Sequence, residues 1–124
     1  MKWFVSLLLA VFLTASAHEM TPAYPKLNQS FMDGVVYTQM TLFNKREDVE
    51  YYELGVFDKE WKPVPFVTAY KIVRVEYLSK LYIDVYVAKE DAGRAHYLCS
   101  ISKLKGLPKK GPMVSSRVCS KFKK

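Results

Sequence analysis

The chain has 124 residues, room for one domain, and 19 basic against 12 acidic residues give it a formal charge of +7. Half of the residues are hydrophobic and 15% are aromatic, which excludes an intrinsically disordered chain. The excess charge gathers between Lys103 and Lys124, where it suits an anionic partner such as a carboxylate, an acidic protein face or a membrane surface, or simply keeps a β-protein in solution.

Residues 1–17 have the three parts of a secretory signal peptide. Lys2 is the positive start, Trp3 to Thr14 is an apolar run too short to span a bilayer comfortably, and Ala15-Ser16-Ala17 is a small-x-small cleavage box. The expected mature domain is 18–124, periplasmic or secreted, with no membrane segment left after cleavage. An exported protein makes nucleic acid a poor partner.

Beyond the leader, two-residue alternation of Val, Ile, Tyr, Phe and Thr recurs between turn residues, and no stretch has a helical period. Thr21 to Leu27 carries Pro22 and Pro25 and is an edge strand at most. After the Asp33-Gly34 turn, Val36 to Phe43 alternates, and Asn44 to Asp48 is a polar turn. Val49 to Phe57 alternates again; Asp58 to Pro65 is a loop whose Trp61 is read chiefly as a cover for the open end of the core. Phe66 to Tyr77 holds one or two strands. Lys80 to Ala88 is the cleanest strand, with Leu81, Ile83, Val85 and Val87 on one side and Tyr82, Asp84 and Tyr86 on the other. Lys89 to Gly93 turns, Ala95 to Ser102 is a strand, Leu104 to Pro112 is a loop, and Val114 to Phe122 is the last strand. About seven short strands at this spacing predict an all-β fold, a single Ig-like Greek-key β-sandwich, with a small closed barrel as runner-up.

The only cysteines are Cys99 and Cys119. An even count in an oxidising compartment predicts one bridge, which staples the last two strands or their loop. Closing a loop of about 20 residues contributes roughly 3 kcal/mol. Enzyme signatures are missing: there is no Gly-x-Ser-x-Gly elbow and no phosphate-cradling glycine loop, and Glu47, Asp48 and Glu50 read as a solvated turn.

Four stretches resemble the N-terminal domain of the PapD-like periplasmic pilus-assembly chaperones. Met20-Thr21-Pro22 with Tyr24 to Leu27 is similar to that family's first strand, and Val36 to Asn44 to its second. Tyr52 to Asp58 is similar to the third, and Arg94 to Ser102 with Ser116 to Phe122 to its final hairpin. The resemblance implies a non-enzymatic protein that holds an exported subunit by strand addition and grips its C-terminal carboxylate with a basic pair. The nearest counterparts are Lys26 on the first strand and Lys121 on the last, with Arg117 replacing Lys121 after a small shift. Two features depart from the family. Its second sandwich domain has no counterpart in these residues, and the alternating last strand is interrupted by Ser115, Ser116 and Arg117.

Two other classes compete with the chaperone reading, which otherwise needs no cofactor. Cleavage after Ala17 makes His18 terminal, and its amine and ring with a second imidazole from His96 form a three-nitrogen Cu(II) site, the basis of a periplasmic copper carrier. A secreted Ig-like binding module or inhibitor requires neither copper nor a subunit.

Overall fold

The computed structural model describes residues 18–103 and 116–124. The expected leader at 1–17, the Leu104 to Pro112 loop and the start of the last predicted strand lie outside them. Eight strands and one helical turn follow in the order β1 (His18–Thr21), β2 (Asn28–Gln29), β3 (Val35–Asn44), β4 (Tyr51–Phe57), β5 (Ile72–Arg74), β6 (Lys80–Ala88), α1 (Lys89–Ala92), β7 (Tyr97–Lys103) and β8 (Arg117–Lys121).

The strands form two antiparallel sheets packed face to face, the Ig-like β-sandwich expected from the alternation. In the first, β3 is central: β1 and β2 share one of its edges and β6 takes the whole of the other, from Val35↔Ala88 to Phe43↔Lys80. The second sheet runs β5-β4-β7-β8. Alternation assigns the faces. Met40, Leu42, Ile83 and Val85 from the first sheet meet Tyr52, Leu54, Val56 and Leu98 from the second, and all are buried. Phe122, just past β8, closes the core at one end.

Several boundaries differ from the sequence reading, each for a local reason. The first strand ends where the expected one begins: β1 pairs with β3 from His18↔Asn44 to Thr21↔Thr41, and Pro22 stops it. Residues 23–25 then cross to the second sheet, where the carbonyls of Ala23 and Pro25 accept from the amides of Lys121 (3.0 Å) and Lys123 (2.8 Å). Between Phe66 and Tyr77 only Ile72–Arg74 is a strand, since Val67 makes a single bridge to Tyr86 and the chain then descends to β4. The turn after β6 closes as the short helix α1, where the sequence shows no helical period because four residues are too few to display one.

Candidate functional site

The bridge joins Cys99 to Cys119, which face each other in register across β7 and β8. It lies on the outer face of the second sheet and staples the last two strands, as the cysteine positions imply.

β8 is the outermost strand of that sheet. The amide of Ser102 donates to the Ser116 carbonyl (2.8 Å) and the Phe122 amide to the His96 carbonyl (2.9 Å), so the even-numbered residues of this segment face β7. The odd-numbered ones face outward. Lys121 and Lys123 spend their outward amides on the 23–25 segment; among the described residues, nothing pairs with the outward backbone of Arg117 and Cys119. Among the described residues, half of the strand is therefore capped and half is an open edge.

Over the outer face sits an aromatic stack that the sequence reading places elsewhere. Asp58 holds a tight turn: its Oδ1 accepts from the amides of Glu60 (2.8 Å) and Lys62 (2.9 Å), and its carbonyl accepts from Trp61 N (3.0 Å). The turn puts Trp61 at φ 65°, an uncommon and costly conformation for a bulky residue. Its indole lies flat on Tyr97, 4.1 Å between centroids and 2° from parallel, and the Arg117 guanidinium covers the other face at 4.7 Å. Trp61 thus covers the last hairpin from outside and does not close the core; it remains 43% exposed. Turn geometry decides this, because the loop folds back over the outer face. Beside it, the Phe57 ring lies over Gly55, where an added Cβ would meet ring carbon at 2.8 Å.

The three candidate carboxylate contacts fall at different places. Arg117 is at the open half of β8 and stacked on Trp61. Lys121 is exposed on the capped half, with its amide on Ala23. Lys26 is exposed and follows Pro25, beside Lys123 across the crossover segment. Cationic charge converges at this end: the His96 ring is held below its ordinary pKa by desolvation and by Lys121, Lys124 and Lys59. The Lys124 ammonium is anchored there on the carbonyls of Gly93 and Ala95, both at 2.9 Å.

His18 and His96 are not brought together. His18 is 3% exposed, with Nε2 2.8 Å from Ser100 Oγ, Nδ1 3.3 Å from Ser116 Oγ and its ring 4.6 Å from that of Tyr52. His96 precedes β7 and packs edge-on against Tyr97 at 4.5 Å. It comes four residues before Ser100 in an extended segment, roughly 13 Å along it. Both nitrogens of His18 face serines inside the sandwich, so the two-imidazole copper arrangement does not form in this fold. No cluster of three or more potential ligands from His, Cys, Asp and Glu occurs among the described residues.

Buried serines carry a signal that the sequence reading overlooked. Ser100, Ser102 and Ser120 alternate on the inward face of β7 and β8, in positions that elsewhere hold valine and leucine. Through His18, Ser100 adjoins a polar seam between the sheets. Tyr52 donates to Asn44 Oδ1 at 2.5 Å, and Asn44 Nδ2 donates to the carbonyls of Val49 (2.6 Å) and Val75 (2.8 Å). Burial pushes the Tyr52 hydroxyl up to about 12. It lowers the His18 pKa, against a raising bond from Ser100 and with a further lowering from Arg46. Arg46 pairs with Asp48 and holds that carboxyl below its ordinary range.

Two stacked antiparallel sheets, a first strand that crosses between them and a half-open terminal edge define the class of fold to compare. No protein-family model matches this chain, and no curated protein matches it in sequence. Solved structures do. The Escherichia coli chaperone DraB is similar over 85% of this chain and 52% of its own, at 14% identity and a TM-score of 0.60. A Salmonella enterica structure of the SafA pilin in complex with the SafB chaperone is similar over 85% of this chain and 52% of the matched one, at 12% identity and a TM-score of 0.59. The fold is PapD-like, and the chain spans about half the length of the chains it matches.

Proposed function

We propose that this chain is an exported, non-enzymatic protein-binding domain that acts as a chaperone-like assembly factor, holding an exported subunit by strand addition along β8. The open backbone of Arg117 and Cys119 at the edge of the second sheet carries the reading, because a row of unpaired amides and carbonyls is what an added strand pairs with. The structural likeness to the DraB chaperone and to the SafA–SafB complex supports it, as does the leader-like segment at 1–17. That leader would place the protein in the periplasm or outside the cell.

In this reading the basic end of the sandwich, with Lys26 and Lys121, receives the subunit's terminal carboxylate, and Arg117 flanks the docked strand. Attraction between opposite charges and hydrogen bonds to the carboxylate would fix which way the strand runs. The test is mass spectrometry, under non-reducing conditions, of what co-purifies with the protein from its native envelope. A stoichiometric exported subunit whose binding is lost in the combined Lys26→Ala, Arg117→Ala and Lys121→Ala variant supports the reading. A clean monomer, or a client held unchanged by that variant, overturns it.

A further inference from the structure

A second open edge lies on the opposite side of the sandwich, along β6. Tyr86 spends both its amide and its carbonyl on Val67, each at 2.8 Å, so the even-numbered residues of β6 turn their backbone away from β3. Beyond Val67 the chain leaves the strand for β4. Among the described residues nothing pairs with the outward backbone of Tyr82 and Asp84. A groove of about 540 Å³ opens beside them, with Leu81 and Ile83 on the strand side and Thr68, Ala69 and Tyr70 also in its lining. Tyr82 is 69% exposed and Val67 67% exposed at the groove, and nearby Leu78 is 59% exposed.

The outward side chains of this edge are Lys80, Tyr82 and Asp84. Asp84 has neither an ion pair nor a hydrogen bond among the described residues. The order cation, aromatic, anion is self-complementary about its centre. We propose that β6 pairs antiparallel with β6 of a second copy of this chain, with the two-fold axis at Tyr82, to form one continuous sheet across the dimer.

The register follows from ladder geometry. Tyr82 faces Tyr82 of the second copy, Lys80 faces Asp84, and Asp84 faces Lys80. All three are pairs whose backbone groups point outward, so roughly six main-chain hydrogen bonds form. The two Lys–Asp pairs and the Tyr–Tyr pair lie on one face as direct cross-strand neighbours. On the other face Leu81 meets Ile83. Pairing ends at the Lys80–Asp84 pairs, because Tyr86, which would face Leu78 of the other copy, already spends its backbone on Val67. A closed two-fold pairing also removes a sheet edge that would otherwise recruit strands without limit. This inference is independent of the proposed use of β8.

Sedimentation equilibrium of the purified protein from roughly micromolar to millimolar concentration is the test. The expected result is a monomer–dimer equilibrium that weakens with added salt, because both ion pairs are exposed. Lys80→Asp and Asp84→Lys each set like charges opposite one another twice, and each loosens self-association at least about tenfold. Mixed with each other, the two variants present opposite charges at both pairs and associate as the unsubstituted chain does. Thermal melting checks that each variant is folded. A monomer at every concentration overturns the proposal. So do single variants that dimerise normally, as they would if β8 were the contact, and so does a mixture that fails to associate.

Discussion

The two flanks of this sandwich handle an exposed strand in opposite ways. On the β7–β8 flank the edge is tied down. A disulfide crosses the last hairpin, residues 23–25 cap half of β8, and Trp61 stacks over the outside between Tyr97 and Arg117. The inward face there is the less apolar one, with serines at three positions and the ring of His18, from β1, against Ser100. On the β6 flank the inward face is fully apolar, through Ile83, Val85 and Val87, and the edge carries no staple. A strand that buries a continuous apolar row is held by its own core. One that buries serines gains little from burial and needs covalent and stacking support.

This contrast makes graded predictions. The largest effect is expected where the stapled flank still relies on the core: Leu98→Ala, at a fully buried position of β7, lowers unfolding free energy by about 2–5 kcal/mol in urea titrations. Reducing the Cys99–Cys119 bridge, or replacing both cysteines with Ala, costs roughly 3 kcal/mol, and the melting point then becomes insensitive to reductant. A smaller loss of about 1–2 kcal/mol follows Tyr52→Phe. It removes the donor to Asn44 Oδ1, although that oxygen also accepts from the Arg46 amide at 2.8 Å.

The polar seam also makes stability depend on pH. His18 has a folded-state pKa below its ordinary 6.5, so at mildly acidic pH the unfolded chain binds more protons than the folded one. This contribution is complete above pH 6.5 and is lost as pH falls from there through the folded-state value. Denaturant titrations at successive pH values should show the fall, and His18→Gln should reduce it, leaving the share of His96, whose pKa is also lowered. The smallest effect belongs to the open flank: in protein dilute enough to be monomeric, Tyr82→Ser, on an exposed face, shifts stability by no more than about 0.5 kcal/mol. A much larger shift would mean that Tyr82 packs within its own copy, contrary to the self-pairing register.

Much of this was legible along the chain because strand alternation is a local property. Leu81, Ile83, Val85 and Val87 point inward as their spacing requires, and Cys99 and Cys119 join the last two strands. The prolines also read correctly as breaks, but the strand they interrupt lies before them, at His18–Thr21. The candidate site was less legible. Lys26, Arg117 and Lys121 were visible as basic residues, yet Arg117 is stacked on an indole 56 positions earlier in the chain. His18, a terminal ligand only in the copper alternative, is a buried partner of Ser100, 82 positions away.

Which residues alternate and where turns interrupt them could be read along the chain, and with them an all-β fold and one expected bridge. Those features arise from neighbours in the chain: side chains that alternate every second residue, prolines without an amide donor, and glycine at the positive φ of Gly34. Tertiary structure alone decided which edges stay open, that Trp61 lies outside the core, and that His18 and His96 are apart. Each of these depends on which strand lies beside which, and loop closure and face-to-face packing set that order across separations that no local pattern encodes.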